Sequence, residues 1–256
     1  MGHLNELQDT YGNRGLTVLG VTSEGASDTE KWITEKGARY PYAYDKGGQL
    51  SRWFGVSGIP HAALVNPMGE VVWKGHPSGL TSELVEKHLA GAIAKPVWEW
   101  PKEAGKVKAA IGKRQLGKAL LLAQELAGDD GAAIAKSLRA MVDGKLQSLT
   151  QRRTDGDFLA AQELAAALAK DLAGLETEVA QAEEALTAIK ADKAAKAVIK
   201  AQLEVRELRV EIESVRSEKG ALELIEQFEE LAEKYADNYA GKQARDAIDE
   251  LRAMLG

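Results

Sequence analysis

Residues 44–77 read YDKGGQLSRWFGVSGIPHAALVNPMGEVVWKGHP, and they carry most of the information on the fold of the first part of the chain. Two apolar runs, residues 62–65 and 71–73, flank the sequence NPMG at residues 66–69. Proline fixes one turn dihedral and glycine tolerates a positive φ at another. The pattern therefore predicts two antiparallel strands joined by a tight turn.

A further proline, Pro60, leads into the first of these strands as part of Gly58-Ile59-Pro60. Because a proline cannot donate a hydrogen bond to a sheet, it belongs at a strand start, an edge or a bulge. The preference for the trans form is small at an X-Pro bond, so the sequence allows a cis bond here.

The order of these features resembles the second half of a thioredoxin-like domain. It runs from Asp45 through a short apolar helix, FGV at residues 54–56 and GIP at residues 58–60, to the two strands. More narrowly, it is similar to the TlpA-type redoxins, which are extracytoplasmic bacterial thiol–disulfide oxidoreductases. The resemblance covers roughly the first third of the chain. It implies an α/β thioredoxin-like fold and an extracytoplasmic location, the periplasm.

The family's redox motif is not found in this sequence. Against the family order, the sequence begins inside the first helix, so we expect a domain that lacks its first strand and the Cys-x-x-Cys motif. The chain contains no cysteine. Disulfide exchange needs an attacking thiolate and a resolving thiol. The resemblance thus implies an oxidoreductase that is inactive as given, with no catalytic residue in this chain.

Different functions remain open at this point. Redox residues upstream of Met1 would make the chain part of a working oxidoreductase, which the intact loop, proline and strand pattern favours. The alternatives are a redox-dead module that binds a protein or peptide partner, and a helical scaffold with a vestigial domain.

The resemblance assigns substrate binding to Ile59, Pro60 and His61. In the family, the residue before this proline offers backbone groups to a bound substrate peptide, a form of strand addition. The simpler interpretation is that Pro60 only shapes the loop, and it is preferred because fold alone does not imply function.

Composition argues against several other classes of function. The four histidines lack metal-ligand spacing, and no phosphate-binding loop is present, so we predict neither a metal nor a cofactor. The net charge of −6 is spread along the chain, which argues against nucleic-acid binding. No apolar run reaches about 18 residues, so we predict no membrane span, and the first residues lack a signal-peptide core.

Composition also divides the chain. All six prolines and all five tryptophans lie at or before Pro101, and the later residues are rich in helix formers. We predict a thioredoxin-like domain at residues 1–94, a linker at 95–101 and an all-helical domain at 102–256. The aromatic residues Trp32, Trp53, Phe54 and Trp73 are interpreted as core packing.

The predicted helical domain contains three related pieces, residues 117–138, 156–186 and 219–251, that resemble tetratricopeptide-like helical hairpins. Apolar residues also step by four and three through residues 175–215, with a shift of two residues midway. This segment is either one long helix with a discontinuity or a hairpin that turns near Asp192. Packing on its own domain is the preferred interpretation, and a dimerisation arm is the alternative.

The absent strand has a structural consequence. Its neighbours, residues 16–21 and 62–65, would lie about 10 Å apart, twice the spacing between paired strands. We therefore expect these two segments to pair directly, or a second chain or another segment to fill the gap. A homodimer would form through this open sheet edge or through the 175–215 helices.

Overall fold

The computed structural model describes residues 2–93, 95–215 and 217–255. They form two compact units, residues 1–144 and 145–256, and the division falls within a helix. The strands are β1 (Gly20–Thr22), β2 (Tyr42–Tyr44), β3 (Ala62–Val65) and β4 (Val71–Gly75). The helices are α1 (Gly2–Tyr11), α2 (Ala26–Lys36), α3 (Gln49–Trp53), α4 (Ser82–Lys87), α5 (Gly105–Gly112), α6 (Leu116–Gln124), α7 (Gly128–Asp155), α8 (Phe158–Asp171), α9 (Glu176–Ala191), α10 (Lys193–Arg209), α11 (Glu218–Lys234) and α12 (Tyr239–Leu255).

The N-terminal region, residues 2–93, is mixed α/β. β1 and β2 are parallel, with Gly20 opposite Tyr42. β3 and β4 are antiparallel, with Ala62 opposite Gly75. Within the described part of the chain these are two separate two-stranded sheets. The α/β character predicted for this region is therefore present, and the remainder of the described chain is helical.

The prediction that residues 16–21 pair with residues 62–65 was wrong. β1 is shorter than predicted and pairs with β2, whereas β3 pairs with β4. Among the described residues, no further strand joins the β1–β2 sheet to the β3–β4 sheet. Leu19, Val21 and Val65 consequently keep more than two fifths of their surface exposed. Apolar periodicity identified the strands, but it carries no information on which strands pair.

The turn between β3 and β4 forms as predicted. Gly69 has φ 85°, and its N–H donates to the carbonyl of Asn66 at 2.9 Å. The Asn66 side chain supports the same turn, because its Oδ1 accepts the N–H groups of Met68 and Glu70 at 3.0 and 2.9 Å. A glycine is needed at position 69, since other residues rarely adopt this φ.

A small core holds the N-terminal region together. It joins α1, the β3–β4 sheet and α4 through five buried residues: Leu7, Tyr11, Leu64, Leu80 and Val85. Trp73 packs against this core, as predicted. The same prediction was wrong for Trp32 and Trp53, which are 37% and 68% exposed. Both lie on short or peripheral helices, α2 and α3, in which no residue is buried.

The predicted linker at residues 95–101 lies inside the first compact unit. Trp100 in this segment is buried, and its Nε1 donates to the carbonyl of Lys95 at 2.9 Å. Its own carbonyl accepts a hydrogen bond from Lys108 Nζ at 2.8 Å. The segment is thus ordered, and a domain boundary at this position stays a prediction.

The second unit is helical and has its own core. α11 packs along α12, and α10 packs against α12 and α8. The buried residues of this core are Ala201, Val205, Ile212, Ala221, Leu224, Ile225, Phe228, Ala240, Ala244, Ala247, Ile248 and Leu251. α8 packs along α9 and α11 along α12 as helical hairpins. The relation of these pairs, and of residues 117–138, to tetratricopeptide repeats stays a prediction.

The segment 175–215 is not one long helix. α9 ends at Ala191 and α10 begins at Lys193, because Asp192 has extended backbone with ψ 119°. The Asp192 side chain accepts the N–H of Ala194 at 2.7 Å and so caps α10. The predicted apolar positions Ala201 and Val205 are buried in the unit's own core, as the preferred interpretation expected.

Gln202 connects three helices of the second unit. This residue on α10 is 1% exposed. Its Oε1 accepts the N–H of Leu159 in the first turn of α8 at 2.9 Å. Its Nε2 donates to Asp157 Oδ1 at 2.7 Å and to Gln243 Oε1 on α12 at 3.3 Å. Arg152 Nη1 donates to the other Asp157 oxygen at 2.8 Å, which completes the pairing of this buried carboxylate.

Candidate functional site

The candidate site begins at Asp45, which holds the N-terminus of α3. Asp45 is buried, and its Oδ1 accepts the N–H of Leu50 at 2.9 Å. Its Oδ2 accepts the N–H and the hydroxyl of Ser51 at 3.0 and 2.9 Å. The first-turn N–H groups of a helix have no partner within the helix, so this carboxylate satisfies them. These hydrogen bonds lower the pKa of Asp45, and the one from the Leu50 N–H contributes most.

The loop that carries the candidate residues starts where α3 ends. The N–H of Gly55 donates to the carbonyl of Arg52 at 3.0 Å, and that of Val56 to Ser51 at 2.9 Å. Gly55 has φ 70°, a left-handed conformation that ends many helices. Asp45 thus fixes one end of the loop through α3, and β3 fixes the other.

Ile59, Pro60 and His61 lie together at the entrance to β3. The Ile59–Pro60 peptide bond is cis. Ile59 is 92% exposed, and Pro60 is also exposed. His61 is half-buried, and its Nε2 is buried without a hydrogen-bond partner. Ile59 and Pro60 therefore present an apolar, solvent-facing surface beside a strand that has an unpaired edge among the described residues.

His3 and His76 lie outside this loop and each has a hydrogen-bonding partner. His3 Nε2 lies 2.7 Å from the carbonyl of Leu80, and His76 Nδ1 lies 2.8 Å from Ser78 Oγ. No cluster of three or more histidine, aspartate or glutamate residues that could hold a metal occurs in residues 2–93, 95–215 and 217–255. In the same ranges, no helix has the length and apolarity needed to cross a membrane.

The site has exposed apolar surface but no group that could exchange disulfides. It offers exposed apolar surface and a strand entrance, both of which suit an extended peptide. It has no thiol, because the sequence contains no cysteine. No other side chain replaces a thiolate as the group that attacks a disulfide.

We expect Asp45→Asn to lower the melting temperature of the first unit near neutral pH. The amide loses the charge that accepts three hydrogen bonds. Because folding depresses the pKa of Asp45, its stabilisation is present above the ordinary carboxyl pKa and is lost as the pH falls through the folded value. Melting curves of both proteins should therefore converge in acid. Asp28→Asn, an exposed aspartate on α2, is the matched control, and an equal shift for both variants would contradict the assignment.

Comparison with known proteins agrees with this geometry. Residues 1–74 match the AhpC/TSA family. The N-terminal region is therefore similar to thioredoxin-like redoxins. The resemblance predicted from residues 44–77 is thus confirmed at the level of the redoxin fold family.

Curated relatives of this redoxin region carry the name thiol-disulfide oxidoreductase ResA. The protein from Halalkalibacterium halodurans is 28% identical over 90 residues, which are 35% of this chain and 51% of the relative. That from Bacillus cereus is 27% identical over 92 residues, with the same coverage of 35% and 51%. That from Bacillus anthracis is 25% identical over 96 residues, which are 37% of this chain and 53% of the relative. The chain thus spans about half the length of these relatives. No solved structure matches it.

Sequence reasoning placed the loop correctly but missed two features of the redoxin region. It did not identify Asp45 as a helix anchor, although an acidic residue ahead of a short helix is a recognisable signal. It also assigned Trp53 to the core. The apolar spacing of α3 gave no indication that this face would stay exposed.

Proposed function

We propose that this chain serves thiol–disulfide exchange as a TlpA-type redoxin that holds an extended substrate peptide at Ile59, Pro60 and His61. The observation that carries the proposal is the 92% exposure of Ile59 at the entrance to β3, inside the part of the chain that matches a redoxin family. The names of the curated relatives support the reaction class. The resemblance to TlpA-type redoxins supports an extracytoplasmic setting.

The role of this chain is limited to binding and positioning. In disulfide exchange a thiolate attacks one sulfur of the substrate disulfide, and the other sulfur leaves as a thiolate. A second thiol then resolves the mixed disulfide, so that two electrons pass to the substrate. Both thiols must come from outside these 256 residues, since the chain has none.

The first expected result is that the isolated chain shows no dithiothreitol-coupled reduction of insulin above background. The second is that it binds carboxamidomethylated insulin B chain, an unfolded peptide without free thiols, in a calorimetric titration. Ile59→Glu should weaken this binding about tenfold, because a charge then lies on the apolar surface that contacts the peptide.

Val210→Glu is the matched control, since Val210 is also an exposed aliphatic residue, at 66%, and lies in the second unit. Equal affinities for the two variants would show that the peptide binds elsewhere and would contradict the assigned site. Measurable insulin reduction would contradict the proposal that this chain, which has no thiol, only binds and positions the substrate.

A further inference from the structure

The hairpin formed by α5 and α6 in the first unit carries a concentrated positive charge. Residues 104–124 contain no acidic residue and five basic ones: Lys106, Lys108, Lys113, Arg114 and Lys118. The chain as a whole has a net charge of −6, so this segment is opposite in charge to the rest of the molecule. A surface that concentrates one sign of charge attracts partners of the opposite sign. The hairpin is therefore a candidate surface for an anionic partner.

Four of these cations are exposed and have no ion-pair partner among the described residues: Lys106, Lys113, Arg114 and Lys118. The fifth, Lys108, donates from Nζ to the carbonyl of Trp100 at 2.8 Å. α5 packs along α6, and the hairpin buries its apolar positions, among them Val107, Ala110, Leu116 and Leu120. The exposed surface of the hairpin is thus left to the cations.

Two of the lysines lie at helix ends where a positive charge is unfavourable. Lys106 is in the first turn of α5 and Lys118 is in the first turn of α6, and neither turn contains an acidic residue. The N-terminus of a helix carries a partial positive charge, so a lysine there opposes the helix dipole. Helix stability therefore does not account for these two lysines, whereas an anion bound beside them would relieve the repulsion.

Arg114 lies in the turn between the two helices and has a left-handed backbone, with φ 56°. Its N–H donates to the carbonyl of Ile111 at 2.9 Å, and the N–H of Gln115 donates to that of Ala110 at 3.0 Å. This pair of hydrogen bonds commonly ends a helix, with glycine at the left-handed position. Glycine would form the same turn with less strain. The turn geometry therefore does not account for an arginine, whose charge lies at the exposed end of the hairpin.

Exposed apolar side chains accompany these cations. Leu121 is 39% exposed and lies three residues after Lys118 on α6, so the two share one helix face. Trp98 is 59% exposed and lies two residues before Trp100, the residue that binds Lys108 of α5. Cations beside exposed leucine and tryptophan are typical of surfaces that lie on an anionic bilayer. A nucleic acid or an acidic protein segment would satisfy the cations but would offer Leu121 no apolar environment.

We propose that the α5–α6 hairpin binds reversibly to the surface of an anionic phospholipid membrane. The exposed cations contact the phosphate headgroups, and Leu121 and Trp98 enter the boundary between headgroups and acyl chains. The choice of phospholipid among polyanions rests on these apolar side chains and on the extracytoplasmic setting of the proposed function. The hairpin does not include the peptide-binding residues 59–61, so each interaction can be measured without the other.

The experiment is co-sedimentation of the full chain with lipid vesicles of two compositions. The unmodified chain should bind vesicles that contain phosphatidylglycerol and should stay in solution with vesicles of phosphatidylcholine alone. Added salt should release it, because salt screens the attraction between exposed charges. A lysine near an anionic surface strengthens binding about fivefold, so Lys113→Gln combined with Lys118→Gln should lower the partition coefficient about twentyfold. Leu121→Gln should also weaken binding, which a purely electrostatic partner does not predict.

Lys193→Gln combined with Lys196→Gln is the matched control, because both lysines are exposed in the first turn of α10 in the second unit. This pair removes the same charge and should leave the partition coefficient almost unchanged. Both double variants should keep the far-UV circular dichroism of the unmodified chain, since glutamine is a good helix former. Equal losses of binding for the two pairs would overturn the assignment to the hairpin.

Two other results would also overturn the proposal. One is that the unmodified chain fails to bind phosphatidylglycerol vesicles. The other is that it binds a single-stranded oligonucleotide but not the vesicles, which would indicate a different class of partner. Titration with carboxamidomethylated insulin B chain separates this inference from the proposed function, because the Lys113 and Lys118 double variant should bind that peptide as the unmodified chain does.

Discussion

Replacement of Leu224 by alanine is expected to lower the free energy of unfolding of the second unit by about 2–5 kcal/mol. Leu224 on α11 is 3% exposed and belongs to the core formed with α10 and α12. The substitution removes buried methyl groups and leaves a cavity that the surrounding helices fill only in part. Chemical denaturation followed by far-UV circular dichroism measures the change.

Leu222→Ala is the matched control because it makes the same change two residues earlier on the same helix. Leu222 is 48% exposed, so its truncation should change the stability by less than about 0.5 kcal/mol. Equal losses for the two variants would mean that α11 does not present this face to the core.

The second large effect is expected for Gln202→Leu. Leucine fills a similar volume but leaves the Leu159 N–H without its acceptor and removes the amide that donates to Asp157. A buried polar group without a partner costs about 1–3 kcal/mol, and more when it is charged. We therefore expect a clear loss of stability, although the new side chain is more apolar than the old one.

Gln181→Leu on α9 is the comparison for this substitution, because Gln181 is exposed. Its replacement should leave the denaturation midpoint almost unchanged. A Gln202→Leu protein as stable as the unmodified chain would show that apolar burial outweighs the hydrogen bonds that connect α8, α10 and α12.

The helical half of the fold was the part that the sequence predicted best. Periodic apolar positions such as Ala201 and Val205 are buried because a helix of this pattern has one face to cover. The turn at residues 66–69 was equally predictable, since its proline and glycine each restrict a particular dihedral. Local chemistry was sufficient in both cases.

Non-local relations were not predictable in the same way. The pairing of β1 with β2 depends on residues some twenty positions apart, and the apolar pattern of residues 16–21 does not specify a partner. The exposure of Trp53 depends on what covers α3, which the helix itself does not encode. The sequence did not indicate that Gln202 is buried either, because a polar residue on an amphipathic helix is ordinarily predicted to face solvent.

The loop at Ile59 was predictable in part. Its position was predictable from the order of Gly58-Ile59-Pro60 before a strand, and the match of residues 1–74 to a redoxin family agrees. The exposure of Ile59 and the unpaired Nε2 of His61 required the structure. The substrate role of these residues depends on the binding experiment.

The distribution of tryptophan along the chain gives each unit its own spectroscopic signal. All five tryptophans, Trp32, Trp53, Trp73, Trp98 and Trp100, lie within residues 1–144. Because Tyr235 and Tyr239 lie in the second unit, the emission must be excited selectively at tryptophan, and it then reports unfolding of the first unit alone. Ellipticity reports the helices of both units. A single sample monitored by both signals can separate two unfolding transitions without any engineered label.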